Sequence, residues 1–478
     1  MQTSRYPGNL DQVTTTNKEI PASASPALLA QYEDVTRRLR RLEASHANPP
    51  HGSQALQTTN AAIARLTVSE HELHEEILAD DKQDATGSFH PLNLEALENA
   101  LPDTNAILIE YWTGEKTSYA WTITRNGIRS FHLAAGPQLE RECTALRKAI
   151  LAVATRDPSL SAEQRAATEP AQESHWKKLG SQLAETLFPP GMLPPSTSTV
   201  FIVGDGAVES VPFAALSKVS LAGASKEPLR NITFLNEASA FIFSVLETNP
   251  VHPHPMRLAL FTVEQSAQKT AMSRTTQAAR NDNRETLAAL PFAGNEAELV
   301  RAALGRNQTR VFSGAELSKA SLQKLDWSEF SIGHFAMHAV LDEKYAELSG
   351  LALGQDTAPG SENLLWYGDV RNLHARLDLV VLSACDTALG EQVPGEGLRG
   401  LTQAFFAAGS QRVLGTLWEV DDQATSEWMG HFYRALKQTH SPLEALHEAQ
   451  EKMAADPQWS SPYYWAGFSL AGDWRSIP

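Results

Sequence analysis

LVVLSAC, residues 379–385, is an unbroken apolar run that closes on a serine, an alanine and a cysteine. Seven residues are too few for an ordinary helix, and an apolar stretch without alternation is how a strand buried on both faces reads. The strand therefore belongs at the centre of a sheet covered by helices, with Cys385 as its last residue. FSIGHFAM, residues 330–337, is a second such strand and delivers His338 at its carboxyl end. Chemistry in open α/β sheets collects at the carboxyl ends of strands. If the two strands are parallel neighbours, thiol and imidazole emerge at one edge.

Working outward, strands and helices alternate through residues 253–478. RLALFTV at 257–263 opens this part, and a polar stretch from Glu264 to Leu287 without periodicity reads as an exposed, mobile loop. Then come NEAELVRAAL (helix), TRVFSG (strand), SKASLQKL (helix), the two strands above, GLRGLTQAFFAAG (helix), QRVLGTLW (strand) and two closing helices. Such alternation implies a largely parallel sheet covered on both faces. Ser441, Pro442 and Glu444 supply the N-cap, N1 proline and N3 acid that start the last helix.

Residues 101–252 read as a second α/β or α+β unit. AILIEYW, SYAWTIT and IRSFHLA are strands joined at TGEK and RNG, helices follow near 138–155 and 172–187, and STVFIVGDG is another buried strand. Residues 1–100 are a polar leader followed by helices. Leu28, Tyr32, Val35, Leu39 and Leu42 form one apolar seam, and Leu56, Ile63, Leu66, Leu73 and Ile77 a second. These two helices pair as a hairpin or pack separately on the next unit; the spacing allows both.

With 478 residues, 42% of them hydrophobic and 20% charged, the chain can build two or three cores. The first twenty residues hold no apolar signal core, and no run of about eighteen apolar residues occurs, so a cytoplasmic protein without membrane contact is expected. Forty basic and 56 acidic residues leave a formal charge of −16, which disfavours nucleic acid as a direct partner. Two cysteines, Cys143 and Cys385, make neither a disulfide framework nor a metal knuckle. No metal and no cofactor are expected.

A thiol near its free pKa is little ionised at neutral pH, so a nucleophilic cysteine needs a base beside it. His338, 47 residues upstream of Cys385, could form the thiolate and protonate a leaving amine. The plain alternative is that a cysteine on a buried strand is a small core residue. His334, inside its strand, suits a hydrogen-bonded core role better than catalysis. Cys143, within RECTALRKA on a helix, reads as structural.

Several motifs now resemble one family. HFAMHA (334–339), VVLSACDTALGE (380–391), GEGLRGLTQAFFAAG (395–409), RVLGTLWEVDD (412–422), HFYRAL (431–436) and SPYYWAGFSLAG (461–472) are similar, in order, to the CHAT family, the caspase-related domain usually found behind tetratricopeptide repeats. LPDTNAILIEYW, VFIVGDGAVESVPFAAL and LPFAGNEAEL extend the likeness from residue 101 onward. No 34-residue repeat is visible.

The resemblance implies a caspase-like α/β/α sandwich: a tandem of a pseudo-caspase unit (101–252) and an active unit (253–478) behind an N-terminal helical hairpin (1–100). It implies a cysteine endopeptidase with His338 and Cys385 as the catalytic dyad. The oxyanion would be held by the backbone N–H groups of Cys385 and Ala339. Ala339 stands where the family has glycine; if that position needs positive φ, activity is reduced. In separase, a related protease, an acid near the end of a W-x-V-x-D stretch receives a basic P1 side chain. The pattern here is Trp418, Val420 and Asp422 with Asp421 beside it, which implies an acidic S1 pocket, Asp386 being a further candidate. These acids equally suit the cap of a helix starting near Ala424.

The partners so implied are a protein or peptide substrate and a regulatory protein docking on the N-terminal helices, in a bacterial signalling or defence pathway. Arg274, Arg280 and Arg284 are candidate sites of self-processing. A degenerate CHAT scaffold that mediates assembly is the alternative. Gly395, Gly397 and Gly400 also spell G-x-G-x-x-G, but ten residues separate them from the end of the preceding strand, whereas a dinucleotide fingerprint needs its glycines in the tight turn itself.

Overall fold

The computed structural model describes residues 94–153, 162–219, 232–237, 255–263, 293–340, 349–353, 364–383 and 396–477, with isolated positions elsewhere. Both seams of the expected N-terminal hairpin lie outside these residues except Val35 and Leu66, which are helical and half-buried. The stretch at 264–292, with Arg274, Arg280 and Arg284, also lies outside.

The first half begins with α1 (Leu94–Ala100) and the meander β1 (Ala106–Trp112), β2 (Ser118–Thr124) and β3 (Gly127–Leu133). Helices α2 (Gly136–Leu151) and α3 (Ala162–Leu187) follow, then β4 (Thr199–Val203) and β5 (Thr233–Asn236). Helix α3 starts ten residues earlier than the sequence predicts and carries Pro170 inside it. The second half runs β6 (Leu258–Thr262), α4 (Ala293–Leu304), β7 (Thr309–Phe312) and β8 (Ile332–Ala336). A small sheet of β9 (Ala339–Val340), β10 (Gly350–Ala352) and β11 (Leu364–Trp366) then precedes β12 (Leu379–Leu382). The chain closes with α5 (Glu396–Ala407), β13 (Arg412–Thr416), α6 (Asp422–Thr439), α7 (Pro442–Ala455) and β14 (Phe468–Gly472).

One mixed sheet of 11 described strands runs through both halves in the order β3-β2-β1-β4-β5-β14-β13-β12-β8-β6-β7. Strands β1, β4, β5 and β14 are mutually parallel, as are β13, β12, β8, β6 and β7. The two blocks meet at the antiparallel pair β13–β14. The carboxyl ends of the two blocks therefore lie on opposite rims. Strand β14, which the sequence reading does not separate from the closing helices, is the one that joins them.

Each central strand splits its side chains between two apolar layers, as alternation demands. Leu258, Leu260, Ile332, Leu379 and Val381 face the layer of α4, α6 and α7, while Ala259, Phe261, Phe335, Val380 and Leu382 face the layer of α5. Phe261 stacks on Phe312 and on Phe335 at centroid distances of 4.9 and 4.8 Å, tying three adjacent strands together. Burying one such ring contributes about 2–3 kcal/mol. A slip of one residue would turn every one of these side chains to the wrong face, so packing enforces the register.

Candidate active site

Strand β8 lies between β6 and β12 and is parallel to both. Its pairing with β12 sets Leu379 against Ile332 and Leu382 against Phe335, a constant offset of 47 residues. His338 follows β8 by two residues, at the carboxyl rim of the second block, and is 7% exposed. Its carbonyl accepts a hydrogen bond from Ala352 N at 2.8 Å. On the neighbouring strand Ser383, 6% exposed, is the last described residue before a stretch that includes Cys385 and Asp386. Those two predicted residues lie outside the described residues.

Ala339 begins β9, the edge strand of the small sheet, opposite Leu351. Because His338 and Ala352 form the hydrogen-bonded pair, Ala339 sits at a non-bonded position, where its N–H points away from β10. Its methyl group is buried in the α5 layer. Among the described residues only His374 and His440 have positive φ without being glycine, so Ala339 is extended and carries no left-handed strain.

His334 is the core residue that its position inside the strand predicts. It is fully buried; Nδ1 lies 2.8 Å from the Tyr433 hydroxyl on α6, and Nε2 lies 2.9 Å from Glu296 Oε1 on α4. Burial, and the Glu296 carboxylate beside it, push the Tyr433 phenol well above its ordinary pKa, so the hydroxyl keeps its proton. Neither Glu296 nor Tyr433 is singled out by sequence reasoning, although LPFAGNEAEL and HFYRAL contain them. Cys143 is buried on α2, and burial, with Glu142 adding to it, pushes its thiol up to about 12. A thiol that hard to ionise is a poor nucleophile.

Asp421 and Asp422 follow the carboxyl end of β13, on the same rim as His338 and beyond β12. Asp421 is the N-cap of α6: its Oδ1 accepts from Ala424 N at 2.9 Å. Asp422 is the first residue of that helix and half-buried. Trp418 is buried, with its Nε1 donating to the Tyr463 carbonyl at 2.9 Å. Of the three glycines in the dinucleotide-like pattern, Gly397 and Gly400 fall inside α5 and Gly395 lies outside the described residues. A groove of about 350 Å³ lined by Trp176, Lys218, Glu451 and Trp465 contains none of the predicted site residues. Among the described residues no three His, Cys, Asp or Glu side chains are grouped to hold a metal ion, and no helix is long and apolar enough to cross a membrane.

Tetratricopeptide repeat protein 28 of Mus musculus is 38% identical to this chain over 117 residues, and the Homo sapiens protein is 37% identical over the same length. The match covers 24% of this chain and only 5% of either relative. Among solved structures, the Saccharomyces cerevisiae separase–securin complex aligns with 95% of this chain and 38% of the separase chain, at a TM-score of 0.49 and 10% identity. The Arg-specific cysteine proteinase gingipain R aligns with 81% of this chain and 80% of its own, at a TM-score of 0.37 and 10% identity. The CHAT domain model matches residues 177–473, from α3 into the residue after β14. With that match spanning well over half of its length, the chain belongs to the CHAT domain family.

Proposed function

We propose that the chain is a cysteine endopeptidase in which Cys385 attacks the scissile carbonyl and His338 carries the protons. The observation that carries this reading is the register. The 47-residue offset between β8 and β12 equals the separation of His338 and Cys385 in the sequence. Cys385 follows Ser383 by two residues, a reach of at most about 7 Å. A thiol and an imidazole carried by neighbouring strand ends would supply the nucleophile and the base that the reaction needs.

The imidazole takes the thiol proton, and the thiolate adds to the carbonyl. The oxyanion is received by the N–H of Ala339, directed away from β10, and by the N–H of Cys385. His338 returns its proton to the leaving amine, then draws one from the water that releases the acyl group. Asp421, Asp422 and Asp386 supply negative charge for a basic P1 side chain. A thiolate enzyme with no disulfide framework suits a reducing compartment such as the cytoplasm. Its control would come from a protein partner on the N-terminal helices.

In a peptide-library digest read by mass spectrometry, Cys385→Ala and His338→Ala are expected to lose cleavage by on the order of 10⁴-fold while unfolding at the wild-type temperature. Full activity in either variant rejects the mechanism. A scaffold without catalysis would leave Cys385 unlabelled by a peptide electrophile.

A further inference from the structure

Helix α2 of the first half packs Leu139, Cys143, Leu146 and Ile150 into the core, and Arg147 is buried with them, 6% exposed. A guanidinium tolerates burial where it is hydrogen-bonded and stacked. This one reaches into the second half. Its Nη1 donates to the Leu417 carbonyl at 2.8 Å, and its Cζ lies over the Trp418 ring, 5.6 Å from the centroid. Leu417 and Trp418 open the connection between β13 and α6, the stretch that ends in Asp421 and Asp422.

The segment between α7 and β14 holds the same two residues from within the second half. Leu417 N donates to the Gly467 carbonyl at 2.8 Å, and Trp418 Nε1 to the Tyr463 carbonyl at 2.9 Å. Gly467 lies so close to the indole that a Cβ there would be 2.8 Å from Trp418 Cε2. Arg147 completes this grip, since it supplies the donor for the Leu417 carbonyl and the cation over the indole. Burial alternates along the connection: Trp418 and Val420 are 5% and 2% exposed, whereas Glu419 and Asp421 are exposed. Anchoring Trp418 and Val420 inward thus leaves the acids beside them directed outward. Asp421 is held at the far end as the cap of α6.

We infer that Arg147 is a positioning residue for substrate selection: through it the first half sets the place of the β13–α6 connection, and so of the acids that receive a basic P1 side chain. The inference rests on the P1 role of Asp421 and Asp422 proposed above. It gives the first half a defined part in specificity, acting through a loop and not through the reacting groups. Without the guanidinium, the Leu417 carbonyl loses a charge-assisted donor and the indole loses the cation over its face. The connection is then less ordered, and acids that must be ordered on binding hold a cationic side chain more weakly. Binding of the substrate suffers while the chemical step does not, so the loss falls on KM.

The test measures kcat and KM of the full chain for peptides with Arg, Lys or norleucine at P1, beside amide hydrogen exchange over residues 417–425. Arg147→Met keeps the length and apolar bulk of the side chain. It is expected to raise KM for the Arg and Lys peptides about tenfold, to change kcat and the norleucine peptide less than about twofold, and to speed exchange over 417–425 about tenfold. Arg147→Lys keeps the charge and a donor without the planar fork, and should lose about threefold in selectivity. Lys218→Met breaks the ion pair with Glu451, a contact between the halves that ends on α7, and should keep the wild-type selectivity. Unchanged selectivity in both Arg147 variants, unchanged exchange in Arg147→Met, or an equal loss in Lys218→Met overturns the inference. If Arg147→Met does not fold, Arg147→Lys decides. A wild type that cleaves none of the peptides, or cleaves them without preference for Arg and Lys, overturns the proposed reading and this inference with it, whereas a selective wild type with unmoved variants overturns only the inference.

Discussion

The two rims of the sheet are built from strands of the same kind and end in opposite ways. At the rim holding the carboxyl ends of β4, β5 and β14, polar groups are spent on one another. Asp205 accepts from both the N–H and the hydroxyl of Thr113, at 2.6 and 2.7 Å. Arg412, 1% exposed, donates to the carbonyls of Asp473, Asp378 and Arg475, and Asp473 pairs with Arg412 and Arg475 at 3.2 and 2.8 Å. Gly472 lets β14 approach there: its φ is +95°, and a Cβ would lie 2.5 Å from the Gln411 carbonyl oxygen. The rim of His338 instead leaves three buried hydroxyls, those of Thr262, Ser383 and Thr425, without a hydrogen-bond partner among the described residues. A saturated rim is a seam between halves; an unsaturated one has capacity left for chemistry.

The largest way to break this contrast is Arg412→Met. Removing the guanidinium takes the buried donor from the carbonyls of Asp473, Asp378 and Arg475 and leaves Asp473 paired with Arg475 alone, and a loss of about 3–5 kcal/mol is expected in urea unfolding. A loss below about 1 kcal/mol would mean that the network does not hold the seam.

Tyr433→Phe tests the neighbouring layer under His338. It takes the hydroxyl from His334 Nδ1 in a fully buried site, and a loss of about 1–3 kcal/mol is expected. Because His334 is a core residue, peptide cleavage should survive in proportion to the folded fraction.

Glu237 sharpens the comparison from the other side, since it is an exception on the saturated rim. Both of its carboxyl oxygens are buried without a hydrogen-bond partner, and burial, with Asp473 adding to it, raises its pKa well above the ordinary carboxylate value. The folded protein thus binds this proton more tightly than the unfolded chain does. That contribution to stability is complete below about pH 4.5 and is lost as pH rises from there through the raised folded value. Glu237→Gln is expected to gain about 1–2 kcal/mol at neutral pH and to flatten the pH dependence of urea unfolding. A variant less stable than wild type at pH 7 would show that the carboxylate has a use.

The smallest effect separates two roles for one acid. Asp421→Ala should cost about 1 kcal/mol of stability as a lost helix cap. If Asp421 also receives a basic P1 side chain, kcat/KM for Arg and Lys substrates falls beyond what the folded fraction explains. An unchanged P1 preference leaves that role to Asp422 and Asp386.

Much of the second half was legible because its strands are fully buried and read as unbroken apolar runs. LVVL and SIGHFA declare themselves without partners, and strict period-2 geometry carries their spacing into register. The role of His334 followed from its place inside a strand. Strands β5, β9, β10, β11 and β14 were not legible, since two to five residues cannot display a period and their pairing partners lie far away in the chain. Ala339 could not be judged from its type alone. Its backbone angle and the direction of its N–H come from pairing with β10.

Residue order by itself determined the composition of each strand, the 47-residue separation of His338 and Cys385, and the family likeness, because burial on two faces restricts a strand to apolar side chains wherever it sits. Only tertiary structure decided that β8 and β12 are parallel neighbours, that the two halves point in opposite directions, and that Arg147 of the first half meets Leu417 of the second. Those relations depend on which strands pair, and pairing is settled by packing between segments tens to hundreds of residues apart, which no local pattern encodes.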